Sequence, residues 1–548
     1  MSGILQSLIG TVGPSGDSYW VSFYHPDVTG SGQREAFDIH GADTDDDGNL
    51  YVSGRNDQAL CFSQGGVADA GWACRIDIDD GALNWWTETR ADGTSDDYIS
   101  RMGNIFYDAN NGDLLALQMY KHRDDYDSTH YNIMGYTGAI RLNASTGAIK
   151  SAHHFGTQTN TYYGQTDNVA GAGGVFYDVG DNSNQKTFLN SSDSSVIVID
   201  PISNTGDAYL RYTWDNDNEA FTNTHWYTSV SQGGVNNEYG HPKQVFNKGS
   251  TAVYLVRKTT GSGAPMSNLS AVTESTSQGS TTIKQHTHFG TGGSTTPWGN
   301  YQGGALKSRK SFANDSYFMT PWRVNTNNGK GKIAIFSSES TCVRQYTFED
   351  DDYPRHDSFL SCIDNTGYKH YIFSSVRDSA GSNGRMRIYE MEQDGSLANC
   401  IEITQTTSNW DNGNPTIISY SPIFLVTGDT LYLGGNPKLF NDPSTGPRRY
   451  LMVFKLPKDL SAISTTSQTV EPEVYGGTKA TCTIQRVTAN VTISDNGTSF
   501  SSMHNRTGGS AGSSQTAKTF YNETTDGAKQ DYATYTSSLG GGAEEIAT

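Results

Sequence analysis

The chain has 548 residues, of which 38 are Lys or Arg and 58 are Asp or Glu, giving a formal charge of -20. A surface of that sign repels phosphate backbones and anionic lipid, which excludes nucleic acid and a membrane surface as expected partners. Apolar residues are 34% of the total, yet 31 Tyr, 21 Phe and 9 Trp supply bulk, and 60 Gly with abundant Asn, Asp, Ser and Thr supply turns. This composition suits many short strands joined by tight turns and suits long helices poorly.

The N-terminal stretch MSGILQSLIG places Ile4, Leu5, Leu8 and Ile9 on one face of a short helix that Gly10, Gly13 and Pro14 break. So short a helix orders only when its stripe is buried, so residues 1–16 read as a docking segment with a spacer, or as a segment tucked against its own body. No Lys or Arg precedes Arg34 and the apolar run stops at Gly10, unlike a secretory signal. No run approaches the ~18 apolar residues of a spanning helix. The expectation is a chain folded in a cytoplasm.

Residues 17–27 (DSYWVSFYHPD) form an aromatic strand standing alone ahead of the repeats. From there a recurring pair of segments organises the chain: an apolar strand after an Asp/Asn/Gly turn, then a strand, a polar turn with Gly, and an aromatic strand. The clearest copy is 43–54 (DTDDDGNLYVSG) with 73–89 (ACRIDIDDGALNWWTET). Further copies pair 106–120 with 138–156, 173–190 with 195–214, and 243–258 with 282–290. Looser ones pair 317–338 with 341–350, 359–376 with 386–403, and 421–435 with 450–464. These make about seven units of roughly 50–65 residues, each too small to bury both faces of its own sheet, so copies must stack radially. The expected fold is all-β: a β-propeller of about seven four-stranded blades over residues 17–469. The last unit lacks a final aromatic strand, and 17–27 is expected to supply it and close the ring.

Beyond 470 the chain alternates weakly through TVEPEVYGGTKATCTIQRVTANVTIS and then becomes Ser/Thr/Gly/Asn-rich to its end. Residues 470–548 read as a β-rich or flexible extension, or as an arm ordered against a neighbour.

The quoted segments resemble bacterial D-x-D-G-N-x-Y-V-x-G propeller repeats and quinoprotein-like repeats with a D-x-x-T-G turn before a Trp strand. That resemblance implies fold and says little of function. The apolar start, the lack of an export signal and the Gly/Ser/Thr/Asn-rich acidic composition resemble structural proteins of marine tailed bacteriophages. This implies a non-enzymatic virion protein of the tail or its fibres, made in the host cytoplasm. Its expected partners are other virion proteins in a symmetric assembly and a host-surface glycan or protein. The alternatives are an extracellular carbohydrate-active propeller enzyme, a lyase or hydrolase, and a bacterial surface or scaffold propeller that binds proteins.

Candidate chemistry is sparse. Asp43, Asp45 and Asp47 before Gly48 spell D-x-D-x-D-G, whose alternate carboxylates can converge on calcium or cap a solvated hairpin. His153, His154, His225, His241, His286 and His288 sit at or beside strand ends of different units, with no H-E-x-x-H or H-x-E spacing. No catalytic set is expected from them. The six cysteines, Cys61, Cys74, Cys342, Cys362, Cys400 and Cys482, lack metal spacing and read as small buried hydrophobes, although Cys61 and Cys74 are near enough to face across a hairpin.

Overall fold

The computed structural model describes residues 18–24, 37–56, 70–91, 99–125, 131–154, 187–190, 194–202, 206–228, 242–248, 251–258, 266–274, 281–287, 318–323, 331–338, 341–364, 369–380, 384–405, 423–439, 448–474, 478–497, 502–508, 510–511, 518–519, 530–535 and 543–548. Among them the chain is all-β and antiparallel, apart from a 3-10 turn at Leu460–Ala462 whose Asp459 cap accepts from the Ser461 amide. No helix of the described residues is long and apolar enough to cross a membrane.

Two two-stranded ribbons aside, the described strands fall into seven sheets of four to six strands. In chain order, the first sheet holds Phe37–Thr44, Leu50–Asn56, Ala70–Ile76 and Leu83–Ala91. The second holds Ile99–Asp108, Asp113–Asp125, Tyr131–Asn143 and Ile149–His154, and the third Thr187–Asn190, Ser195–Ile202, Gly206–Asp215 and Ala220–Thr228. The fourth holds Pro242–Lys248, Thr251–Lys258, Met266–Glu274 and Thr281–Thr287, and the fifth Phe318–Arg323, Gly331–Ser338 and Thr341–Asp350. The sixth holds Arg355–Asp364, Lys369–Arg377, Arg385–Met391 and Leu397–Gln405. The seventh holds Ile423–Thr427, Thr430–Gly435, Leu451–Pro457 and then the N-terminal strand Tyr19–Tyr24, in register Trp20↔Lys455 through Tyr24↔Leu451.

Local turn chemistry sets these hairpins. In the turn 143–148 the Gly147 amide donates to the Asn143 carbonyl, and Gly147 sits at φ 71, a conformation that a Cβ strains. The Asn143 side chain accepts from the amides of Ser145 and Thr146 and so fixes the turn before the strand leaves it.

Among the described residues, apolar cores lie between four pairs of neighbouring sheets. Tyr51, Ala73 and Trp85 of the first meet Met102, Ile105 and Ile140 of the second. Ile333 and Phe348 of the fifth meet Ile372 and Tyr389 of the sixth, whose Leu360 and Phe373 face Phe424 and Leu433 of the seventh. The seventh in turn packs Trp20, Tyr24 and Tyr432 on Ile39, Trp72 and Trp86 of the first. The seventh and first sheets, the two ends of the series, thus share a core as the fifth and sixth do. Trp20 Nε1 donates to the Ile78 carbonyl (3.1 Å), Tyr24 Oη to that of Gly81 (2.6 Å) and Tyr432 Oη to that of Gly48 (2.9 Å).

The segment after 480 then runs back along the sheets in reverse. Cys482–Val487 pairs with the last strand of the sixth sheet, Val491–Gly497 with the fifth, Ser502–Gly508 with the fourth and Ser510–Ala511 with the third. Lys518–Thr519 follows on the second, Gln530–Tyr535 on the first, and Glu544–Ile546 on Tyr19–Tyr24 of the seventh. Where the sequence suggests a tail or an arm along a neighbour, the described strands lie along their own chain. The reason is the outer strand of each sheet, whose unpaired amides and carbonyls this segment satisfies.

Candidate functional site

The acidic turn 43–48 is a structural hairpin. Asp45 Oδ1 accepts from the Asn49 amide (2.9 Å), and Oδ2 accepts from Asn49 Nδ2 (2.9 Å) and Tyr51 Oη (2.8 Å). Asp43 turns to the next sheet, where its Oδ2 accepts from the Tyr107 amide (2.8 Å). Asp47 stands in solvent. Of the two readings of Asp43, Asp45 and Asp47, calcium loop or hairpin turn, the bonds of Asp43 and Asp45 are those of the hairpin, and among the described residues no group of three or more His, Cys, Asp or Glu is placed to hold a metal ion. Burial, with the Asp45 carboxylate beside it, raises the Tyr51 phenol well above its ordinary range and keeps it a donor.

Among the described residues, three clusters of buried charged side chains lie where neighbouring sheets meet. At the junction of the second and third sheets, Arg141 is fully buried, donates to Asp108 Oδ2 (2.6 Å) and lies 4.3 Å over the Trp214 ring. Ser194, at φ 56, donates to the other Asp108 oxygen (2.7 Å) and accepts from Asn110 Nδ2 (3.0 Å). A backbone held at positive φ by a Ser side chain that closes a buried carboxylate explains the strain without invoking chemistry.

At the junction of the fifth and sixth sheets, Arg387 Nη1 donates to Asp350 Oδ2 (2.6 Å), while Nε and Nη2 donate to Glu402 Oε2 (3.0 and 2.8 Å). Tyr389 Oη adds a second bond to Asp350 (2.5 Å), and Tyr353 lies under the guanidinium at 4.3 Å. At the next joint, Glu390 is buried and accepts from Lys369, from Asn399 Nδ2 and from the amide of Leu460, just past the seventh sheet. Each joint ties neighbouring sheets with directional bonds, fixing their relative placement where apolar contact alone would let them slide.

The four described histidines singled out by sequence fall on strands of three different sheets. His153 is buried edge-on to Phe221 at 5.5 Å, His154 pairs in the second sheet, His225 lies in the third and His286 in the fourth. His241 and His288 lie outside the described residues, as do Ile4, Leu5, Leu8, Ile9 and Cys61. Cys74, Cys362, Cys400 and Cys482 are free and buried; burial pushes the Cys482 thiol up to about 12 and raises the other three as well, so all four are unreactive hydrophobes at neutral pH. Sequence reasoning missed Arg141, Ser194, Arg387 and Glu390. Their partners lie up to 86 residues away, so no local signal marks them.

No family model and no curated protein matches the chain. Among solved structures, a GH43 β-1,3-galactosidase aligns at TM-score 0.25 and 10% identity, covering 80% of this chain and 95% of that one. An exo-β-1,3-galactanase from Phanerochaete chrysosporium aligns at TM-score 0.26 and 10% identity, covering 94% of this chain and 100% of that one. Likenesses this distant carry no argument about substrate or activity.

Proposed function

We propose that the chain is a seven-bladed β-propeller acting as a non-enzymatic structural protein of a bacteriophage virion. Its place is the tail or tail fibres, where it serves assembly and attachment to the host surface. The observation that carries this reading is the reverse-running C-terminal segment, which lays a strand on the outer edge of each of the seven sheets. Open edges template pairing between copies, and the hazard grows with local concentration, which is extreme in a particle built from repeated subunits. A body with covered outer edges and buried ionic joints suits that setting. The exposed acidic turns, including Asp46–Asp47, Asp217, Asp394 and Asp429, remain available for contacts with other virion proteins or with a host glycan or protein.

The test is mass spectrometry of gradient-purified particles and of cell fractions from a producing culture, with the recombinant full chain assayed for host-cell binding and for sugar release from a polysaccharide panel. The chain is expected in the particle at a fixed copy number, with binding and no released product. Absence from particles, or catalytic release of oligosaccharide, overturns the proposal.

A further inference from the structure

The joint between the second and third sheets holds more hydrogen-bond donors than its own acceptors use. Arg141 and Ser151 are direct partners on the neighbouring strands Tyr131–Asn143 and Ile149–His154, so their side chains leave the second sheet on one face. His153, two residues after Ser151, shares that face. Opposite stand Trp214 and Phe221 of the third sheet. The Arg141 guanidinium lies 4.3 Å over the Trp214 ring, and Phe221 meets Trp214 at 4.8 Å and His153 at 5.5 Å, edge-on in both cases. All five side chains are buried.

Only one nitrogen of the guanidinium is engaged. Nη2 donates to Asp108 Oδ2, while Asp113 Oδ2, 3.8 Å away, accepts from Lys150. Arg141 Nε and Nη1 are buried without a partner among the described residues, and so are Trp214 Nε1 and Ser151 Oγ. Asp108 is already taken, since its two oxygens accept from the side chains of Arg141, Ser194 and Asn111 and from the Asn110 amide. Buried polar groups in folded proteins are paired almost without exception, yet here four such atoms on three side chains meet at one joint. The three nitrogens can only donate, and the hydroxyl donates by rotating. A water molecule needs acceptors for its own hydrogens, whereas an anion is satisfied by donors alone.

We propose that Arg141, Trp214 and Ser151 form a binding site for a small monovalent anion of chloride size, lodged between the second and third sheets. The fixed charges of the joint, Arg141 and Lys150 against Asp108 and Asp113, cancel, which suits one added charge and disfavours two in so dry a place. The facing side chains fill the space between the sheets, which favours a monatomic ion over a bulky oxyanion. Because Arg141 and Ser151 come from one sheet and Trp214 from the other, the ion bridges the two and makes the joint sensitive to halide. This inference goes beyond the virion reading and does not depend on where the protein works.

The experiment melts the full chain in sodium gluconate, whose anion is too large for the joint, as sodium chloride replaces it at constant ionic strength. Two variants run beside it: Trp214→Phe, which keeps a ring under the guanidinium and removes the N–H, and Ser151→Ala, which removes the hydroxyl. The wild-type melting temperature is expected to rise along a saturating single-site curve. Each variant should need about 10-fold more chloride for half of that rise, the loss expected for one hydrogen bond to an ion. In gluconate both should melt at or above wild type, because the donor they lack had no partner there. Bromide soaked into crystals of the full chain should place its anomalous scattering signal between Arg141 and Trp214. A melting temperature that climbs with chloride without saturating, or saturates identically in both variants, overturns the site. So does bromide found only on the protein surface. Variants that melt below wild type by the same margin in gluconate and chloride would show a purely structural role for these side chains and overturn it equally.

Discussion

Replacing Arg387 with Met tests whether the joint between the fifth and sixth sheets is electrostatic. The substitution keeps the apolar stem but removes the cation from between Asp350 and Glu402, whose side chains are 0% and 4% exposed. Three charge-assisted hydrogen bonds and the contact over Tyr353 go with it. Glu402 retains Arg385, whereas Asp350 keeps only neutral donors: Tyr389 Oη and the amides of Asp352 and Tyr353. Stranding one partner of a buried pair costs about 3–5 kcal/mol, most of it the desolvation of the carboxylate left behind. Equilibrium urea unfolding followed by tryptophan fluorescence should therefore show Arg387→Met destabilised by about 4 kcal/mol. The decisive comparison is Asp350→Asn in both backgrounds. Asparagine keeps the turn-capping acceptor and discards the charge. In wild type it should destabilise, because Arg387 loses its partner; in Arg387→Met it should stabilise, because no unpaired charge remains. The same sign in both backgrounds would refute charge pairing as the role of Arg387.

Three further outcomes are expected. Burial, with Arg344 adding to it, lowers the His370 imidazole to about 4 from 6.5. The unfolded chain then takes up this proton first, so stability is full above about pH 6.5 and falls by about 3 kcal/mol as pH drops toward 4; His370→Gln should remove that slope from pH-dependent unfolding. Gly147→Ala places a Cβ 2.5 Å from the Trp85 ring at φ 71, and Gly112→Ala meets nothing within 4 Å at φ 64. The second should cost about 1–2 kcal/mol for backbone strain and the first about 1–3 more for overpacking, and equal losses in chemical denaturation would contradict the packing at Gly147. Because Asp45 already serves Asn49 and Tyr51, EDTA should leave the melting temperature unchanged, while Asp45→Ala lowers it equally with and without chelator.

What was legible in the sequence was local. The DDDGN, DIDDG, NNGD and NASTG steps mark turns because an Asx side chain and a Gly at positive φ act within five residues, and Gly48, Gly81, Gly112 and Gly147 all adopt that conformation. The aromatic stretch 17–27 could be matched to a unit lacking its last strand, and Tyr19–Tyr24 lies beside Leu451–Pro457. The acidic triplet reads two ways because carboxylate spacing says nothing about nearby donors, and here Asn49, Tyr51 and the Tyr107 amide donate to Asp45 and Asp43. The edge-covering C-terminal segment was opaque beyond Gly497. Strand pairing is carried by the main chain, so a Ser/Thr/Gly-rich segment can add to an edge without the apolar alternation that announces a half-buried strand. Arg141 and Arg387 were invisible for a different reason, since a buried cation is recognisable only beside partners that the fold brings to it.

The N-terminal strand carries two closures at once, which makes its removal more damaging than its length suggests. Trp20 and Tyr24 pack against the first sheet, while Val21 and Phe23 pack with residues of the sixth. These four side chains are no more than 1% exposed. At about 1.5–3 kcal/mol for each, their loss amounts to roughly 6–12 kcal/mol, comparable to the whole stability of many folded domains. The bonds from Trp20 to Ile78 and from Tyr24 to Gly81 disappear from the seam between the first and seventh sheets. Residues 19–21 are also the strand on which Glu544–Ile546 ends, so the C-terminal segment loses its terminal partner in the same step. A chain starting at residue 27 should therefore aggregate on expression, or, if recovered, melt far below the full chain and be cut by trypsin in the C-terminal segment before the sheets. Because the missing element is one strand bordered by two intact ones, a peptide of residues 17–27 added in excess should raise the melting temperature of the truncated chain in a concentration-dependent way. A truncated chain that is soluble, melts with the full-length protein and ignores the peptide would show that the first and last sheets are held together without this strand.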